Sequence, residues 1–501
     1  MNITEDFSCD RPSYWHICLL FQFSPLAGVE IAGAVAGSQQ PSSDNPSPRA
    51  PTVTLHASQE MVAKGSQVAL TWTSSNASIC MASGGWSGPK DLTGSEQIAV
   101  LGETTYKLAC SGTGGSTVAW LTVSTNASPM ASIAAPAIQS VGSEVTLDGS
   151  GSSDEDGDPL IYTWSLTKSP AGSQAGIVSD SSANAAFTPD RPGTYEISLV
   201  VDDGLSESQP ASTTIVAATP IQGVLQARTY DAADSPYMLT GRADVAPGTT
   251  VIFSEGTEIF GQDQQLRVFG TLRVAGSESR KMLLRAVHLV PGFGQPGSFR
   301  IEMSWCEMRN GSFYYATGEA IHGSFSVTDC LLAGLPYMYI WYPEEPSEFR
   351  RNRFENSASM GILLDGRDNP SERLTIEHNT FVGYNVKSAF GQPSAIEVIE
   401  VYNPANLVIR NNSFLDVGKT SIVLQAGDYT RRLIDATRNY WGTVDETLIS
   451  EMVFDERDDF GAPGVIDFSS FLSSPDPDTS LRSGMLLADD RLRTGRMRRG
   501  T

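Results

Sequence analysis

The sequence has little histidine, no closely paired cysteines and no excess of basic residues, and each shortage excludes a class of protein. Only 5 of the 501 residues are histidine, so a histidine-based mechanism has few groups to draw on. None of the 6 cysteines forms a CxxC pair, which argues against a zinc-ribbon fold and against a thiol-redox function. Lys and Arg number 34 against 57 Asp and Glu, and the resulting net charge of −23 repels phosphate backbones. We therefore expect no nucleic-acid partner.

The sequence also has no uninterrupted apolar run of membrane-spanning length. The most apolar segment, 17–37, is broken by Pro25 and Glu30, so we expect no transmembrane segment. It ends in Ala-Val-Ala, a small-x-small pattern like a signal-peptidase site, but acidic residues precede it where a signal peptide is basic. We interpret residues 1–50 as a degraded or mis-started export signal followed by a Ser/Pro-rich linker. A disordered leader is the alternative, and export to the cell surface or medium of a bacterium is the expectation.

What the sequence does have is short alternating runs separated by turn residues. Residues 51–126 show this pattern in VALTW, TYKL and AWLTV, which is typical of a β-sandwich. The stretches TWTSSNASICMASGGWSG and TTYKLACSGTGG resemble bacterial immunoglobulin-like repeats. That resemblance implies a disulfide between Cys80 and Cys110, and two free buried thiols are the alternative.

Residues 127–218 predict a second sandwich. The stretches LDGSGSSDEDGDPLIYTWSL and FTPDRPGTYEISLVVDDG resemble PKD/REJ-type domains. Asp154, Asp156 and Asp158 alternate in a Gly-containing loop, and hard oxygen ligands at this spacing suit calcium, the only cofactor we consider. The alternative is that these carboxylates accept hydrogen bonds from the amides of their own loop.

Residues 219–478 repeat a pattern at the length of one coil. Steps of 24, 24, 27, 33 and 27 residues connect a series of marker positions: Cys306, Cys330, Phe354, Phe381, Phe414 and Trp441. Five places before each marker stands an apolar residue: Ile301, Phe325, Phe349, Ile376, Ile409 and Ala436. Two places before the last four markers stand asparagines: Asn352, Asn379, Asn412 and Asn439. We expect the apolar residues to stack in one column. We expect the asparagines to turn the corner in the left-handed conformation and to bond along the axis.

The stretch VAPGTTVIFSEGTEIFGQDQQLRVFGTLRVAG and the terminal NYWGT resemble secreted, pectate-lyase-like β-helix proteins. The predicted fold is therefore all-β, with two β-sandwich modules followed by a right-handed parallel β-helix. Cys306 and Cys330 would lie on neighbouring coils, where a bridge and a stacked pair of thiols are equally compatible with the pattern. Residues 479–501 are an Arg-rich tail that we expect to be disordered.

Candidate site residues lie on the outward positions of the predicted coils. Arg350, Glu377 and Arg410 alternate in charge, which predicts a salt ladder or, alternatively, a substrate-binding groove. An exposed Tyr342 could stack on sugar rings. The catalytic candidates are polar residues after a strand and on the next coil: Asp365, Arg367, Asp368 and Glu377.

No polygalacturonase or alginate-epimerase motif accompanies these residues. The sequence therefore favours binding of a polysaccharide or cell-surface component by the β-helix and the sandwich modules. The alternative is a polysaccharide lyase or glycoside hydrolase that acts on the outer face of the β-helix. The sequence does not indicate an oligomeric state.

Overall fold

A computed structural model gives the fold and describes residues 47–292, 299–313, 323–336, 338–341, 343, 345–356, 361–365, 372–384, 394–400, 404–425, 432–462 and 464–479. Within these residues β-strand is the main regular secondary structure, and the one α-helix, α1, spans Glu446–Glu451. The predicted all-β class is confirmed. The expected leader, including Cys9 and Cys18, and nearly all of the expected tail lie outside the described residues.

The described chain divides into two compact units. The first contains the residues up to Leu55 together with Trp72–Gly94 and Lys107–Trp120. The second contains His56–Thr71, Ser95–Tyr106 and everything from Leu121 onward.

The immunoglobulin-like region is built from eight short strands in two sheets. The sheets have the orders β1-β3-β6 and β2-β8-β7-β4-β5. The strands are β1 Thr52–Ala57, β2 Met61–Ala63, β3 Gln67–Ser75, β4 Ile79–Gly84, β5 Gly88–Lys90, β6 Thr93–Ala99, β7 Thr104–Gly112 and β8 Gly115–Asn126.

The first unit is held together by a disulfide and a pair of tryptophans. Cys80 on β4 and Cys110 on the neighbouring β7 are bonded, with 4.1 Å between their Cα atoms, so the predicted bridge is confirmed. Trp72 and Trp86 meet edge to face with 5.2 Å between ring centroids. Both indole N–H groups donate to backbone carbonyls, that of Trp72 to Asp91 at 2.8 Å, so burial leaves neither donor unpaired.

The second module is a sandwich of one three-stranded sheet, β10-β13-β12, and a sheet that contains β11, β14, β15 and β9. Its strands are β9 Ile138–Ser140, β10 Val145–Asp148, β11 Ile161–Lys168, β12 Ile177–Val178, β13 Asn184–Phe187, β14 Gly193–Asp202 and β15 Ala211–Leu225. The core includes Trp164, Phe187 and Tyr195. The Tyr195 hydroxyl donates to the Arg191 carbonyl at 3.0 Å and so fixes the turn before β14.

Strand β15 belongs to two modules at once. Its first half pairs antiparallel with β14 of the sandwich, from Ala211 to Ala217. Its second half pairs parallel with β17, the Tyr237–Val245 strand, from Thr219 to Leu225. One fifteen-stranded sheet therefore runs from the sandwich into the β-helix without a linker.

The β-helix consists of short parallel strands, with the 3-10 helix Pro404–Asn406 in one connection. The strands are β16 Thr229–Tyr230, β17 Tyr237–Val245, β18 Thr250–Ser254, β19 Glu258–Phe260, β20 Gln265–Val268, β21 Thr271–Ala275, β22 Met282–Arg285, β23 His288–Pro291, β24 Phe299–Ser304, β25 Cys306–Arg309, β26 Ser312–Phe313, β27 Gly323–Thr328, β28 Leu331–Ala333, β29 Tyr339–Trp341, β30 Ser347–Arg350, β31 Arg353–Glu355, β32 Ile362–Asp365, β33 Leu374–Glu377, β34 Thr380–Val382, β35 Ile396–Glu400, β36 Leu407–Arg410, β37 Ser413–Phe414, β38 Ile422–Leu424, β39 Arg432–Asp435, β40 Val453–Phe454 and β41 Gly464–Asp467.

Three parallel sheets wrap around one apolar core. Sheet A has the order β16-β18-β21-β24-β27-β30-β33-β36-β39-β41. Sheet B is the part of the fifteen-stranded sheet that continues from β15 through β17, β19, β22, β25, β28, β31 and β34 to β37. Sheet C has the order β29-β32-β35-β38-β40. The predicted parallel β-helix is confirmed.

The prediction of a single column of apolar residues is wrong at one step, between β27 and β30. Ile301 pairs with Phe325, but Phe349 pairs with Val327, two residues further along. From there Phe349, Ile376 and Ile409 follow one another as predicted. The coil between these strands is two residues shorter than the marker spacing implied. Since residues i and i+2 of a strand face the same side, a shift of two keeps every apolar residue inside, and the pattern cannot reveal it.

The same shift changes the position of the second cysteine pair. Leu332, and not Cys330, pairs with Phe354, so Cys330 is followed on the next coil by Asn352. Cys306 and Cys330 form a disulfide with 4.6 Å between their Cα atoms, which decides between the two alternatives. The aromatic rings form their own stack with centroid distances of 4.7, 5.2 and 4.9 Å: Phe354, Phe381, Phe414 and Trp441.

The asparagines form a continuous buried ladder. Oδ1 of Asn379 accepts from the backbone N–H of Asn352 at 2.9 Å and from its Nδ2 at 3.1 Å, and Asn412 and Asn439 repeat both bonds. The interpretation that these asparagines are themselves left-handed is wrong. The left-handed residue is the one before each of them: Arg351, His378, Asn411 and Arg438. The asparagine instead bonds the backbone on both sides of the corner, which explains its selection.

Candidate functional site

The outer face of sheet C carries two buried carboxylates. Alternation along β32 places Ile362 and Leu364 in the core, so Leu363 and Asp365 face outward. Asp365 has no exposed surface, and the Tyr339 hydroxyl of the neighbouring strand donates to its Oδ2 at 2.6 Å. A predicted catalytic candidate therefore lies on this face, in a hydrogen bond and shielded from solvent.

Glu397 is the second carboxylate of this face. It pairs with Leu363 in the ladder, has no exposed surface, and its Oε1 accepts from Nε2 of Gln425. Among the described residues its Oε2 has no hydrogen-bond partner. Burial raises the pKa of Glu397 to about 7. The sequence analysis missed this residue, although a charged residue between two core positions in Ala-Ile-Glu-Val was the available signal.

The outer face of sheet A carries a line of ion pairs. Arg350 Nη2 lies 2.9 Å from Glu377 Oε2 on the next coil and Arg350 Nε lies 3.7 Å from Glu348. Arg410, one coil further, contacts Asp435. These residues have the geometry of the predicted salt ladder, and their side chains are partly exposed.

The structure does not bring the catalytic candidates together. Asp365 is on sheet C, whereas Glu377 is on sheet A in contact with Arg350. Arg367 and Asp368, and the proposed sugar-stacking Tyr342, lie outside the described residues.

The carboxylates of Asp154, Asp156 and Asp158 converge, each offering an oxygen within 4.8 Å of the others. Asp154 Oδ1 accepts from the backbone N–H groups of Asp156 at 2.9 Å and of Asp158 at 3.3 Å, and Asp156 Oδ2 accepts from that of Ala127 at 2.7 Å. Both predicted roles are thus compatible with the loop, because Asp154 Oδ2 is buried without a hydrogen-bond partner among the described residues.

Asp203 is a neighbouring acidic residue with a structural role. Its carboxylate accepts from Asn126 Nδ2 at 2.7 Å and from the backbone N–H groups of Leu205 and Ser206 at 2.7 Å. Burial opposes ionisation of Asp203, but these hydrogen bonds outweigh it and lower the pKa to about 2. Asp203 therefore ties the start of the sandwich to the turn after β14.

A second convergent group joins distant parts of the chain. Nδ1 of His378 lies 3.0 Å from Oδ1 of Asp476, and Asp478 completes a group within 4.8 Å. No local pattern could have indicated it, because His378 and Asp476 are 98 residues apart.

The comparisons with known proteins bear on the second module. Residues 126–217 match the PKD domain family. This match covers only part of the chain and agrees with the resemblance found in the sequence. No curated protein matches the chain.

Solved structures show only partial likeness. A nucleoside hydrolase-related hypothetical protein from Saccharophagus degradans is 32% identical over 19% of this chain and 26% of its own, with a TM-score of 0.17. Three N-terminal domains of the bacteriophage RB49 outer capsid protein Hoc are 19% identical over 36% of this chain and 64% of theirs, with a TM-score of 0.22. Murine CEACAM1b is 13% identical over 33% of this chain and 100% of its own, with a TM-score of 0.21. The chain thus spans about a quarter of the first structure and just under two thirds of the second.

In the part of the chain that the structure describes, no helix combines the length and apolar character needed to cross a membrane.

Proposed function

We propose that this protein is exported and binds a carbohydrate polymer at the bacterial surface or in the medium. The two disulfides support an oxidising compartment, since such bonds persist outside the cytosol. The PKD match and the β-helix support a multidomain extracellular protein in which the pectate-lyase-like resemblance reflects the architecture of the last domain.

The observation that supports a polymeric ligand is the line of charged side chains on the outer face of sheet A. Strands of a sheet lie about 4.8 Å apart, so equivalent groups on alternate coils are about 10 Å apart. Arg350 and Arg410 occupy such positions on either side of Glu377. A polysaccharide that lies along the axis also has a repeating structure, so successive sugar units can contact the same type of charged side chain on alternate coils.

The test compares binding of the full chain to uronate-containing and neutral polysaccharides by affinity electrophoresis. We expect the double variant Arg350→Ala, Arg410→Ala to bind at least tenfold more weakly. The matched control is Lys168→Ala, which removes an exposed paired cation from the PKD-like module. If none of the polysaccharides slows the electrophoretic migration of the wild-type chain, the proposal is contradicted.

Polysaccharide cleavage is the second candidate function, and the carboxylates of sheet C favour it. Asp365 and Glu397 face the same side, one strand and two residues apart, which places their backbones about 8 Å apart. A glutamic acid that holds its proton near neutral pH could protonate a leaving glycosidic oxygen while Asp365 activates a water molecule. Both carboxylates are fully buried, however, so binding takes precedence.

Cleavage would appear as new reducing ends, or as unsaturated ends if the reaction were a lyase elimination. Both products should be measured with and without calcium. Glu397→Gln and Asp365→Asn should abolish either activity, and unchanged turnover in both variants would remove these residues from the site.

We also propose that the Asp154 loop binds calcium weakly. The unpartnered Oδ2 of Asp154 and the converging carboxylates of Asp156 and Asp158 supply the oxygen ligands that calcium takes. Calcium here would stabilise the loop and would not take part in chemistry.

A further inference from the structure

The five-stranded sheet of the immunoglobulin-like region exposes large apolar side chains on its outer side. Trp120 and Val118 on β8 are 68% and 56% exposed, and Ile79 and Met81 on β4 are 50% and 45% exposed. All four lie in the first unit. Single exposed apolar residues are ordinary, but several on one sheet face, including a tryptophan, indicate a contact surface.

The strand register places a lysine beside the tryptophan. The hydroxyls of Thr105 and Thr122 are 2.8 Å apart across the β7–β8 hairpin. Two residues nearer the turn on each strand, Lys107 therefore lies opposite Trp120. Side chains at opposite positions of antiparallel strands have Cβ atoms about 4.5–5.5 Å apart. Lys107 is exposed, and its ammonium group has no ion-pair partner among the described residues.

The local charge differs in sign from that of the whole protein. The described residues of the first unit contain three cations, Arg49, Lys90 and Lys107, and a single carboxylate, Asp91. The chain as a whole has a net charge of −23. An apolar face that carries Lys107, in a unit with few carboxylates, is complementary to an anionic ligand, which the net charge of the whole chain repels.

The size and shape of the surface favour a sugar over a protein. An indole face matches the apolar C–H face of a pyranose ring, and an adjacent ammonium group can pair with an acidic substituent. Ala109 and Thr122 beside these residues are short and leave the ring accessible. Standard protein interfaces take about 20–30 residues from each side, far more than the few outward side chains present here.

We propose that this sheet face binds an acidic oligosaccharide, whose ring stacks on Trp120 while its carboxylate or sulfate group pairs with Lys107. The inference rests on the proposed function and specifies it, because it names the class of sugar and places one contact on the first module. The second contact remains the charged line of sheet A.

The experiment titrates the full-length protein with oligogalacturonate, a sulfated dextran and neutral dextran, and follows tryptophan fluorescence and affinity electrophoresis. We expect both acidic sugars to bind more tightly than the neutral one, and the order of the two identifies the acidic group. Trp120→Ala should weaken binding of the acidic sugars at least tenfold. Lys107→Gln should reduce the preference for acidic sugars and the dependence of binding on salt, while the arginines of sheet A keep the remainder. Leu101→Ala is the matched control, since Leu101 is 71% exposed but lies outside this face.

Three outcomes would overturn the inference. Unchanged affinity in Trp120→Ala, with loss of binding in the Arg350→Ala, Arg410→Ala variant, would leave the proposed function standing and reject this site. Equal affinity for neutral and acidic sugars would reject the acidic specificity. Absence of sugar binding by the wild-type protein, even if the face captured a protein partner, would reject both.

Discussion

The backbone N–H of Cys330 donates to Oδ1 of Asn352 at 3.0 Å, so the disulfide to Cys306 lies at the foot of the asparagine ladder. The corner between sheets A and B is therefore continuous over six coils, first as a covalent bond and then as stacked amides. This corner should be the most sensitive part of the β-helix to substitution.

Replacement of Asn379 by alanine should destabilise the protein strongly. The change removes the acceptor of the Asn352 N–H and the donor to the Phe349 carbonyl, both buried. Leaving buried backbone groups unpaired costs about 1–3 kcal/mol each. Urea unfolding should show a loss of this order, while Asn184→Ala, at an exposed strand position, should be nearly neutral. Similar losses in the two variants would contradict the ladder.

Removal of the Cys306–Cys330 bridge should lower the melting temperature. The bond closes a loop with a sequence separation of 24 residues. The chain-entropy estimate for such a loop is about 3–4 kcal/mol. The double variant Cys306→Ala, Cys330→Ala should therefore melt earlier than the wild type in non-reducing buffer. Thiol titration of the unfolded wild-type chain provides the check, since reactive thiols from both residues would show that the bridge is absent.

Glu397 should make stability depend on pH near neutrality. Its pKa is about 7 in the folded protein, above the usual value of 4.5, so the folded state binds the proton more tightly. Its contribution is fully present below pH 4.5 and is lost as the pH rises through 7. Glu397→Gln should thus be more stable than the wild type at pH 8, by a margin on the order of 3 kcal/mol. The two should be similar at pH 4.5.

Chemical denaturation at both pH values measures this difference. Glu196→Gln, at an exposed strand position paired with Lys168, serves as the control. If the difference in unfolding free energy between the wild type and Glu397→Gln is the same at both pH values, Glu397 titrates normally and the prediction is wrong.

Calcium should raise the melting temperature if the Asp154 loop binds it. A ligand that binds only the folded state must stabilise that state by mass action. The shift between millimolar calcium and chelator should disappear in Asp154→Asn, Asp156→Asn. It should persist in Asp180→Asn, which removes an exposed carboxylate elsewhere in the same module. No shift for the wild-type protein would leave the loop with its hydrogen-bonding role alone.

The sequence predicted those features that are set by the alternation of residues along strands. It gave the β-helix, the inward side of each strand and the Asn-x-aromatic repeat, because these follow from periods of two residues and of one coil. It did not give the register between Phe325 and Phe349, since a shift of two residues leaves alternation unchanged. The left-handed residue before each asparagine was also missed, because two of the four, Arg351 and Arg438, belong to a residue type with no preference for that conformation.

The candidate sites were less accessible to sequence reasoning. Asp365 and Glu397 are brought to one face only by the pairing of β32 with β35, and His378 meets Asp476 only in the folded chain. Trp120 shows the opposite limit. Its strand was recognised, but whether a tryptophan on a strand faces the core or the solvent depends on which side the partner sheet covers.

Strand β15 ties the PKD-like module to the first coil, because the same strand pairs with β14 as far as Ala217 and with β17 from Thr219 onward. Rotation of the PKD-like module relative to the β-helix would require β15 to break near its centre, so we expect the two modules to move together. Attachment of the sandwich to a surface would therefore set the orientation of the β-helix axis, and with it the orientation of a polymer bound along that axis.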